Sequence, residues 1–197
     1  MRLILASLLL AVILGYLLGG RLSRLGQLRI RWQPVAIVGL GLQVAPVPGR
    51  VLPMILLCLS FVLLLAFAVV NVRAGVPGSW LIAIGILLNF VVIGVNQGMP
   101  VSRGALVASG QQSTLTILVN EGGAKHHLAG PGDQLVFLGD IVAIHPLRMA
   151  ASPGDLIAYA GVVWLIVAAM LGRAAPLEGN RRRAHPEQVV SPGGARG

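Results

Sequence analysis

Four long apolar runs constrain this chain more than any other feature of its sequence. They cover residues 3–18, 51–70, 80–95 and 156–171. A helix needs about 20 mostly apolar residues to cross a bilayer, because backbone groups find no water there and must bond within the helix. The chain is 56% hydrophobic and only 11% charged, which argues against a water-soluble domain. We expect all four runs to be transmembrane helices.

A fifth apolar segment, residues 34–47, is shorter and contains Gln43, so it fits either a span or a re-entrant segment. Short cytoplasmic loops collect arginine and lysine, and this rule distinguishes the two. With five spans and the N-terminus outside, ten basic residues lie inside and five outside; without the fifth span the division is eight to seven. The ten are Arg21, Arg24, Arg29, Arg31, Arg73, Arg173, Arg181, Arg182, Arg183 and Arg196, and the five are Arg2, Arg50, Arg103, Lys125 and Arg148. We predict five spans in the plasma membrane, an outside N-terminus and a cytoplasmic C-terminus.

The N-terminus also has a feature of secretory signals, since Arg2 is followed by an apolar run. However, no small-x-small cleavage site follows that run. Cleavage would also place the four arginines between residues 21 and 31 on the outer side, against the charge rule. We expect the first helix to remain as a signal anchor.

The formal net charge of +9 does not indicate a nucleic-acid partner. The arginines border apolar runs or lie in residues 174–197, with no aromatic-interleaved surface around them. That terminal segment is rich in Arg, Pro and Gly and has no apolar period, so we predict a disordered cytoplasmic tail. Cys58 is the single cysteine, which excludes an intrachain disulfide and a cysteine metal site.

Small and amide residues within the spans predict helix packing. Asn89 and Asn96 lie seven residues apart, which places both side chains on one face of the fourth helix. Hydrogen bonding between helices is favoured for them over substrate contact. No charged residue lies at the centre of a span, which argues against an ion path. Two glycine pairs have small-xxx-small spacing that favours intramolecular packing over dimerisation: Gly15 with Gly19, and Gly94 with Gly98.

Residues 97–153 form the one long connection, which the predicted topology places outside the membrane. Their pattern predicts a small cap with a helix from Ser102 to Ser109 and an antiparallel β element. The expected strands are residues 114–119, 134–138 and 141–144. The fold class is therefore an all-α transmembrane bundle of about five helices with an extracytoplasmic β-containing cap. The expected division of the chain is helices 1–96, cap 97–153, fifth helix 154–173 and tail 174–197.

The segment Ser152-Pro153-Gly154-Asp155 has the pattern of a capping box with proline at the first helical position. This pattern predicts that Asp155 caps the N-terminus of the last helix. Helix capping alone thus explains an aspartate at position 155, without a catalytic or binding role.

Several motifs together resemble a known family. The run from Asn96 to Ser102, Lys125-His126, Leu138-Gly139-Asp140 and Ser152-x-Gly154-Asp155 is similar to bacterial multipass membrane proteins grouped as a domain of unknown function. The resemblance extends over nearly the whole chain up to the fifth helix. It implies a fold and a membrane location, and no activity.

A weaker resemblance is to lipoprotein signal peptidase, a small membrane aspartyl protease with an Asn-x-Gly motif and two catalytic aspartates. Asn96 and Gly98 match the motif, and Asp140 and Asp155 would then be the catalytic pair. The chain departs from the family pattern around both aspartates. Asp140 lacks the Asn-x-x-Asp-Arg surroundings, and Leu156 replaces an aromatic residue after Asp155.

Three functional hypotheses follow from these residues. Two carboxylates sharing a site can split their pKa values and activate water, so Asp140 and Asp155 support a membrane aspartyl hydrolase. A zinc site is not expected, because adjacent histidines in a strand point to opposite faces and no His-x-x-x-His motif is present. The residues considered for zinc are His126, His127, His145, Asp133 and Asp140.

The favoured hypothesis is a non-enzymatic membrane component that requires no cofactor. Its cap would bind an envelope protein or a lipid ligand, besides the bilayer itself. Lys125 and Arg148 are suited to anionic head groups. The candidate polar site consists of Asn89, Asn96, Lys125 and His126.

Overall fold

The computed structural model describes residues 2–46, 48–49, 51–123 and 125–173, so the predicted tail lies outside the described residues. The fold is mainly helical, with two small two-stranded sheets. The helices are α1 (Arg2–Leu17), α2 (Gln33–Val44), α3 (Val51–Arg73), α4 (Ser79–Asn96), α5 (Arg103–Ala108), α6 (Gln112–Asn120) and α7 (Pro153–Met170). The strands are β1 (Met99–Val101), β2 (His126–Leu128), β3 (Val142–Ile144) and β4 (Met149–Ala151).

Three helices of the described chain, α3, α4 and α7, are long and apolar enough to cross a membrane. They correspond to three of the four long apolar runs. Helices α1 and α2 are also apolar but contain only 16 and 12 residues. At 1.5 Å per residue, α2 rises about 18 Å, less than the roughly 30 Å hydrocarbon core. The count of five spans therefore stays a prediction.

One end of the helix bundle, here named the cap end, carries residues 97–152. Arg2 at the start of α1 donates from Nη1 to the carbonyl oxygen of Leu147 at 3.1 Å. Lys125 donates from Nζ to the carbonyl oxygen of Gln43, one residue before the end of α2. The first half of α3 packs in a cluster with Met99. Helices α1, α3 and α7 thus run away from the cap end, while α2 and α4 run towards it.

The opposite end, here named the arginine end, is held by hydrogen bonds to backbone groups. The Arg21 backbone N–H donates to the Met170 carbonyl oxygen at 2.9 Å, which joins the end of α1 to the end of α7. The Asn71 amide accepts from the Arg31 N–H at 2.9 Å and donates to the Arg31 carbonyl at 3.0 Å. Asn71 is 2% exposed, and an unpaired amide buried to this extent would destabilise the fold.

Glycines allow α4 and α7 to approach closely in antiparallel directions. Gly85 lies against Gly154, and Gly78 lies against Gly161. Gly78 is the N-cap of α4 and lies seven residues before Gly85, and Gly154 and Gly161 of α7 have the same spacing, so each pair lies on one side of its helix. A Cβ atom at any of these positions would overlap the facing backbone. This crossing determines which residues of α4 can reach the first turn of α7.

The glycine pairs with small-xxx-small spacing contribute less than the sequence predicts. Gly15 contacts the Met170 side chain of α7, in agreement with intramolecular packing. A side chain at Gly19 or Gly94 would meet no atom within 4 Å. The predicted spacing therefore identifies one helix contact, and the main crossing uses other glycines.

In the cap, the predicted helix is confirmed and the first predicted strand is wrong. Ser102 caps α5, since its Oγ accepts from the Ala105 N–H at 3.4 Å. The prediction of a strand at residues 114–119 is wrong, because this segment belongs to α6. Leu115 and Leu118, three residues apart, are half-buried, whereas Ile117 is exposed. The helical period of these leucines outweighs the β-branched alternation that suggested a strand.

The second predicted strand, residues 134–138, is also wrong, since the segment is irregular and ends in a 3₁₀ turn, Val136–Leu138. Leu135 has a left-handed backbone with φ of 52°, which breaks extended structure. The third is confirmed as β3, which pairs antiparallel with β4. The parallel pairing of β1 with β2 was not predicted. Its partners are short and far apart in the chain, so they carry no local signal.

Candidate functional site

The first turn of α7 contains the predicted capping box. Ser152 Oγ accepts from the Asp155 backbone N–H at 2.9 Å, and Asp155 Oδ2 accepts from the Ser152 N–H at 3.3 Å. The two residues thereby pair with otherwise unsatisfied groups at the helix start. The capping prediction for Asp155 is confirmed.

Asn89 of α4 completes this network from the neighbouring helix. Its Nδ2 donates to Asp155 Oδ1 at 2.7 Å, and its Oδ1 accepts from Ser152 Oγ at 2.8 Å. Asn89 and Ser152 are buried. Gly154 makes room for the amide, since a Cβ there would overlap Asn89 Oδ1. The amide therefore locks α4 to the start of α7, with both oxygens of Asp155 accepting hydrogen bonds.

Asn96 holds a different segment, although it lies on the same helix. Its Oδ1 accepts from the Gln134 N–H at 2.7 Å, and its Nδ2 donates to the Gln134 carbonyl at 2.8 Å. Asn71 holds the backbone of Arg31 in the same way at the arginine end. Asn96 thus fixes the irregular cap segment on top of α4.

Asp140 lies at the edge of β1, immediately above the end of α4. Its backbone N–H donates to the Pro100 carbonyl at 2.9 Å, and its carbonyl accepts from the Ser102 N–H at 3.0 Å. The residue is 8% exposed. Burial raises the pKa of Asp140 to about 7, and the negative charge of Asp155 adds to this effect. Its carboxyl group is therefore partly protonated at neutral pH.

His126 of β2 faces Asp140, with Nε2 at 3.8 Å from Oδ2, which is longer than a hydrogen bond. Loss of hydration lowers the pKa of His126, and the positive charge of Lys125 acts in the same direction, while Asp155 opposes them. The imidazole is therefore mainly neutral at neutral pH. About half of the side chain remains exposed. Asp140 and the neutral His126 ring therefore lie close together without a hydrogen bond between them.

The neighbouring His127 faces a different aspartate, Asp133, in a separate turn in which both Asp133 carboxylate oxygens have hydrogen-bond partners. His127 Nε2 lies 2.8 Å from Asp133 Oδ1, and Asp133 Oδ2 accepts from the Gly130 N–H at 2.8 Å. Desolvation acts to raise the pKa of Asp133, but the hydrogen bonds from Gly130 and His127 outweigh it and hold the pKa below its ordinary value. Asp133 therefore stabilises a turn.

The five residues considered for zinc do not form one cluster. His126 and His127 face different aspartates, and His145 begins a 3₁₀ turn elsewhere in the cap. No three His, Cys, Asp or Glu residues lie close enough to hold a metal ion within the described ranges.

The structure thus brings Asp140, Asp155, His126 and Asn89 to one region of the cap end, here named the aspartate site. The charge of Asp155 acts on both Asp140 and His126, which reflects their proximity. Lys125 is engaged at the end of α2, and Asn96 is engaged with the cap backbone. The predicted hydrogen bonding of Asn89 between helices is confirmed, but its partner, the capping box of α7, was not predicted. The seven-residue spacing of glycines in α4 and α7 is typical of closely packed helices, but it does not specify which helix is the partner.

Comparison with known proteins identifies a family and no activity. A family model described as "Family of unknown function (DUF5317)" matches residues 27–167. The match includes every residue of the aspartate site. No curated protein and no solved structure matches the chain.

Proposed function

The chain belongs to the DUF5317 family of unknown function, and we propose that it is a multispanning membrane protein with a non-enzymatic binding role. Its ligand would be an envelope component that binds at the aspartate site. One observation carries this proposal: both oxygens of Asp155 accept hydrogen bonds, one from Asn89 of α4 and one from the Ser152 N–H at the start of its own helix, whereas Asp140 remains available to a ligand. Among the described residues, no group donates a hydrogen bond to the Asp140 carboxyl.

The proposed topology has five spans, with the N-terminus and the cap outside and the C-terminus in the cytoplasm. The charge distribution supports it, since cytoplasmic loops collect basic residues. Six described arginines lie at the arginine end, and the described acidic residues all lie at the cap end. The six are Arg21, Arg24, Arg29, Arg31, Arg73 and Arg173, and the acids are Glu121, Asp133, Asp140 and Asp155.

Aromatic residues support the same placement of the bilayer. Trp32, Trp80 and Trp164 are exposed, as is Tyr16 near the end of α1. The rings of Trp80 and Trp164 pack edge to face with centroids 6.2 Å apart, and Trp32 precedes α2 at the arginine end. Tryptophan and tyrosine collect at membrane interfaces, where an apolar ring and a polar N–H or O–H are both accommodated. These residues mark the proposed cytoplasmic interface.

Binding is favoured over hydrolysis because of the surroundings of Asp155. An aspartate pair that activates water needs both carboxyl groups to contact that water and share a proton. Asp155 instead accepts hydrogen bonds from the Asn89 amide and the Ser152 backbone N–H, and both of these residues are buried. Asp140 and the neutral His126 remain, and a single carboxyl beside an imidazole is suited to recognising a ligand with hydrogen-bond donors.

A membrane aspartyl hydrolase is the second candidate, and one observation favours it. Burial raises the pKa of Asp140 to about 7, and the charge of Asp155 contributes in the same direction, as expected for a carboxyl group near a second one. This candidate predicts that Asp140→Asn and Asp155→Asn both abolish turnover without loss of folded protein. The binding proposal predicts instead that Asp155→Asn lowers the amount of folded protein and Asp140→Asn does not.

Carbodiimide labelling tests whether the aspartate site is occupied. Dicyclohexylcarbodiimide reacts with protonated carboxyl groups, so at pH 7 it should modify Asp140 and leave the hydrogen-bonded Asp133 as an internal control. Modification is measured by mass spectrometry in native membranes and in purified protein reconstituted into phosphatidylcholine vesicles. We expect about fivefold less modification of Asp140 in native membranes, since a ligand held by about 1 kcal/mol gives this ratio. Equal modification in both samples would contradict the binding proposal.

A further inference from the structure

We propose that the aspartate site binds the primary ammonium head group of a membrane phospholipid, with Asp140 as the carboxyl that accepts its hydrogen bonds. This inference rests on the proposed binding function and specifies its ligand. Phosphatidylethanolamine carries such a head group. Four observations support this ligand. They are the depth of the site in the membrane, the apolar residues beside it, its charge, and the hydrogen bonds from Asn96 to Gln134, here named the clamp, that hold the neighbouring cap segment.

Asp140 lies at the boundary between the apolar helices and the cap. Its backbone bonds to Pro100 in β1, the strand that follows α4 after two residues. Asn89, which bonds to Asp155, lies seven residues below the end of α4, a rise of about 10 Å. Helix α3 begins near this boundary, and Leu52 in its first turn is exposed. Lipids around the helices therefore place their head groups at the level of Asp140.

Exposed apolar side chains lie next to both aspartates. Phe137 and Ile141 flank Asp140 in the cap, and Leu156 follows Asp155 in α7. Phe137 is 64% exposed, which would be unfavourable in water for a ring of this size. A ligand that reaches Asp140 from the membrane side meets polar and apolar groups together, so an amphiphile fits better than a small soluble ion.

The charge of the site selects a cation. The negative charge of Asp155 acts on Asp140, while His126 is mainly neutral. No lysine or arginine of the described chain forms an ion pair with either carboxyl, and the Lys125 ammonium is bound to the Gln43 carbonyl. An ammonium from outside would supply the missing positive charge and up to three hydrogen-bond donors. A quaternary ammonium, as in phosphatidylcholine, has no N–H to donate.

The segment that presents Phe137 is held in place by hydrogen bonds. The Asn96 side chain pairs with both backbone groups of Gln134. The next residue, Leu135, adopts a left-handed conformation, which is unfavourable for a residue with a side chain. Leu138 at the other end of the turn packs on the helix core. The clamp thus keeps Phe137 directed outwards, as an apolar contact at the membrane interface requires.

Lipid retention measured by native mass spectrometry tests this inference. The protein is reconstituted in equal parts of phosphatidylethanolamine and phosphatidylcholine and released into detergent, and the lipids that remain bound are counted. We expect wild type to retain phosphatidylethanolamine about tenfold over phosphatidylcholine, and Asp140→Asn to lose this preference. Glu121→Gln removes one exposed carboxylate of the cap that is not a member of the aspartate site, and it should keep the preference.

A second measurement distinguishes a lipid from a soluble amine. Phosphatidylethanolamine in the vesicles should lower the total modification of wild-type Asp140 by dicyclohexylcarbodiimide, counted as the N-acylurea plus the amide formed with the amine, whereas free ethanolamine in solution should not. Equal protection by free ethanolamine, equal retention of both lipids, or an unchanged preference in Asp140→Asn would each overturn the inference. If native membranes protect Asp140 but phosphatidylethanolamine does not, the lipid assignment fails and the binding function stands. If native membranes give no protection, the binding function fails as well.

Discussion

The first turn of α7 and the edge of β1 each place one aspartate at the cap end, but they surround the carboxyl group differently. At the first turn of α7, Asp155 accepts hydrogen bonds from Asn89 and from the Ser152 backbone. At the edge of β1, the Asp140 backbone is paired, while its carboxyl group faces His126 beyond hydrogen-bonding distance.

This difference indicates a structural role for the Asp155 carboxylate and leaves the Asp140 carboxyl available to bind a ligand. Hydrogen-bond donors around Asp155 stabilise its acceptor oxygens and tie α4 to α7. Asp140 is buried without such donors, so burial raises its pKa to about 7. A buried carboxyl with few partners destabilises the fold unless a ligand supplies them. Two aspartates close in space thus have opposite expected effects when substituted.

The largest expected effect comes from removing the helix crossing that positions Asp155. Gly85→Leu should prevent α4 from contacting α7 at Gly154, with a loss of at least about 3 kcal/mol in the free energy of unfolding, because the facing element is backbone. Gly94→Leu is the matched control, since it changes the same helix where no atom lies within 4 Å. Folded yield and thermal unfolding in detergent measure both variants. Equal stability of the two would contradict the assigned crossing.

The pH dependence of stability should distinguish the two carboxyl groups next. The folded protein holds the Asp140 proton up to about pH 7, whereas an ordinary aspartate loses it near pH 3.8. Stability from this group is therefore present below about pH 4 and lost as pH rises to about 7. The loss is several kcal/mol at most, since one pKa unit corresponds to about 1.4 kcal/mol.

Denaturant unfolding between these pH values measures this effect in wild type and Asp140→Asn. The lowered pKa values of His126 and Asp133 act with the opposite sign, so the difference between the two proteins isolates Asp140. Parallel curves would show that Asp140 does not hold its proton in the folded state.

A smaller effect on the free energy of unfolding is expected when each of the two aspartates is replaced by asparagine in turn. Asp155→Asn should destabilise the protein by about 2 kcal/mol, because Asn89 and Ser152 lose a charged acceptor. Asp140→Asn should leave stability at pH 7 unchanged or raise it. Thermal unfolding of both variants at one pH makes the comparison. The reverse order would assign the structural role to Asp140.

The smallest expected effect concerns the basic residue beside His126. Lys125→Met removes the ammonium group that bonds to the Gln43 carbonyl near the end of α2, and should cost about 0.5–1 kcal/mol. Arg103→Met serves as the control, since Arg103 is exposed in α5. Loss of stability in both variants would indicate a general effect of cap charge and not a specific contact.

The elements predicted correctly are those specified by neighbouring residues. Long apolar runs predict α3, α4 and α7, because hydropathy is a property of each segment. The capping box at Ser152 and Asp155 spans four residues, and Ser102 caps α5 within the next three. The strand predicted at 114–119 failed because its alternating and helical patterns overlap, and packing against α5 favours the helical one.

The sequence by itself therefore determined the apolar helices and identified Asp155 as a cap. Only the tertiary structure decided that Asn89 reaches this cap, that Asn96 holds Gln134, and that Asp140 lies buried beside His126. The physical reason is distance along the chain: these partners are separated by 14 to 66 residues, counted between His126 and Asp140 and between Asn89 and Asp155. Their meeting depends on the glycine crossing of α4 with α7 and on the pairing of β1 with β2, which no local pattern encodes.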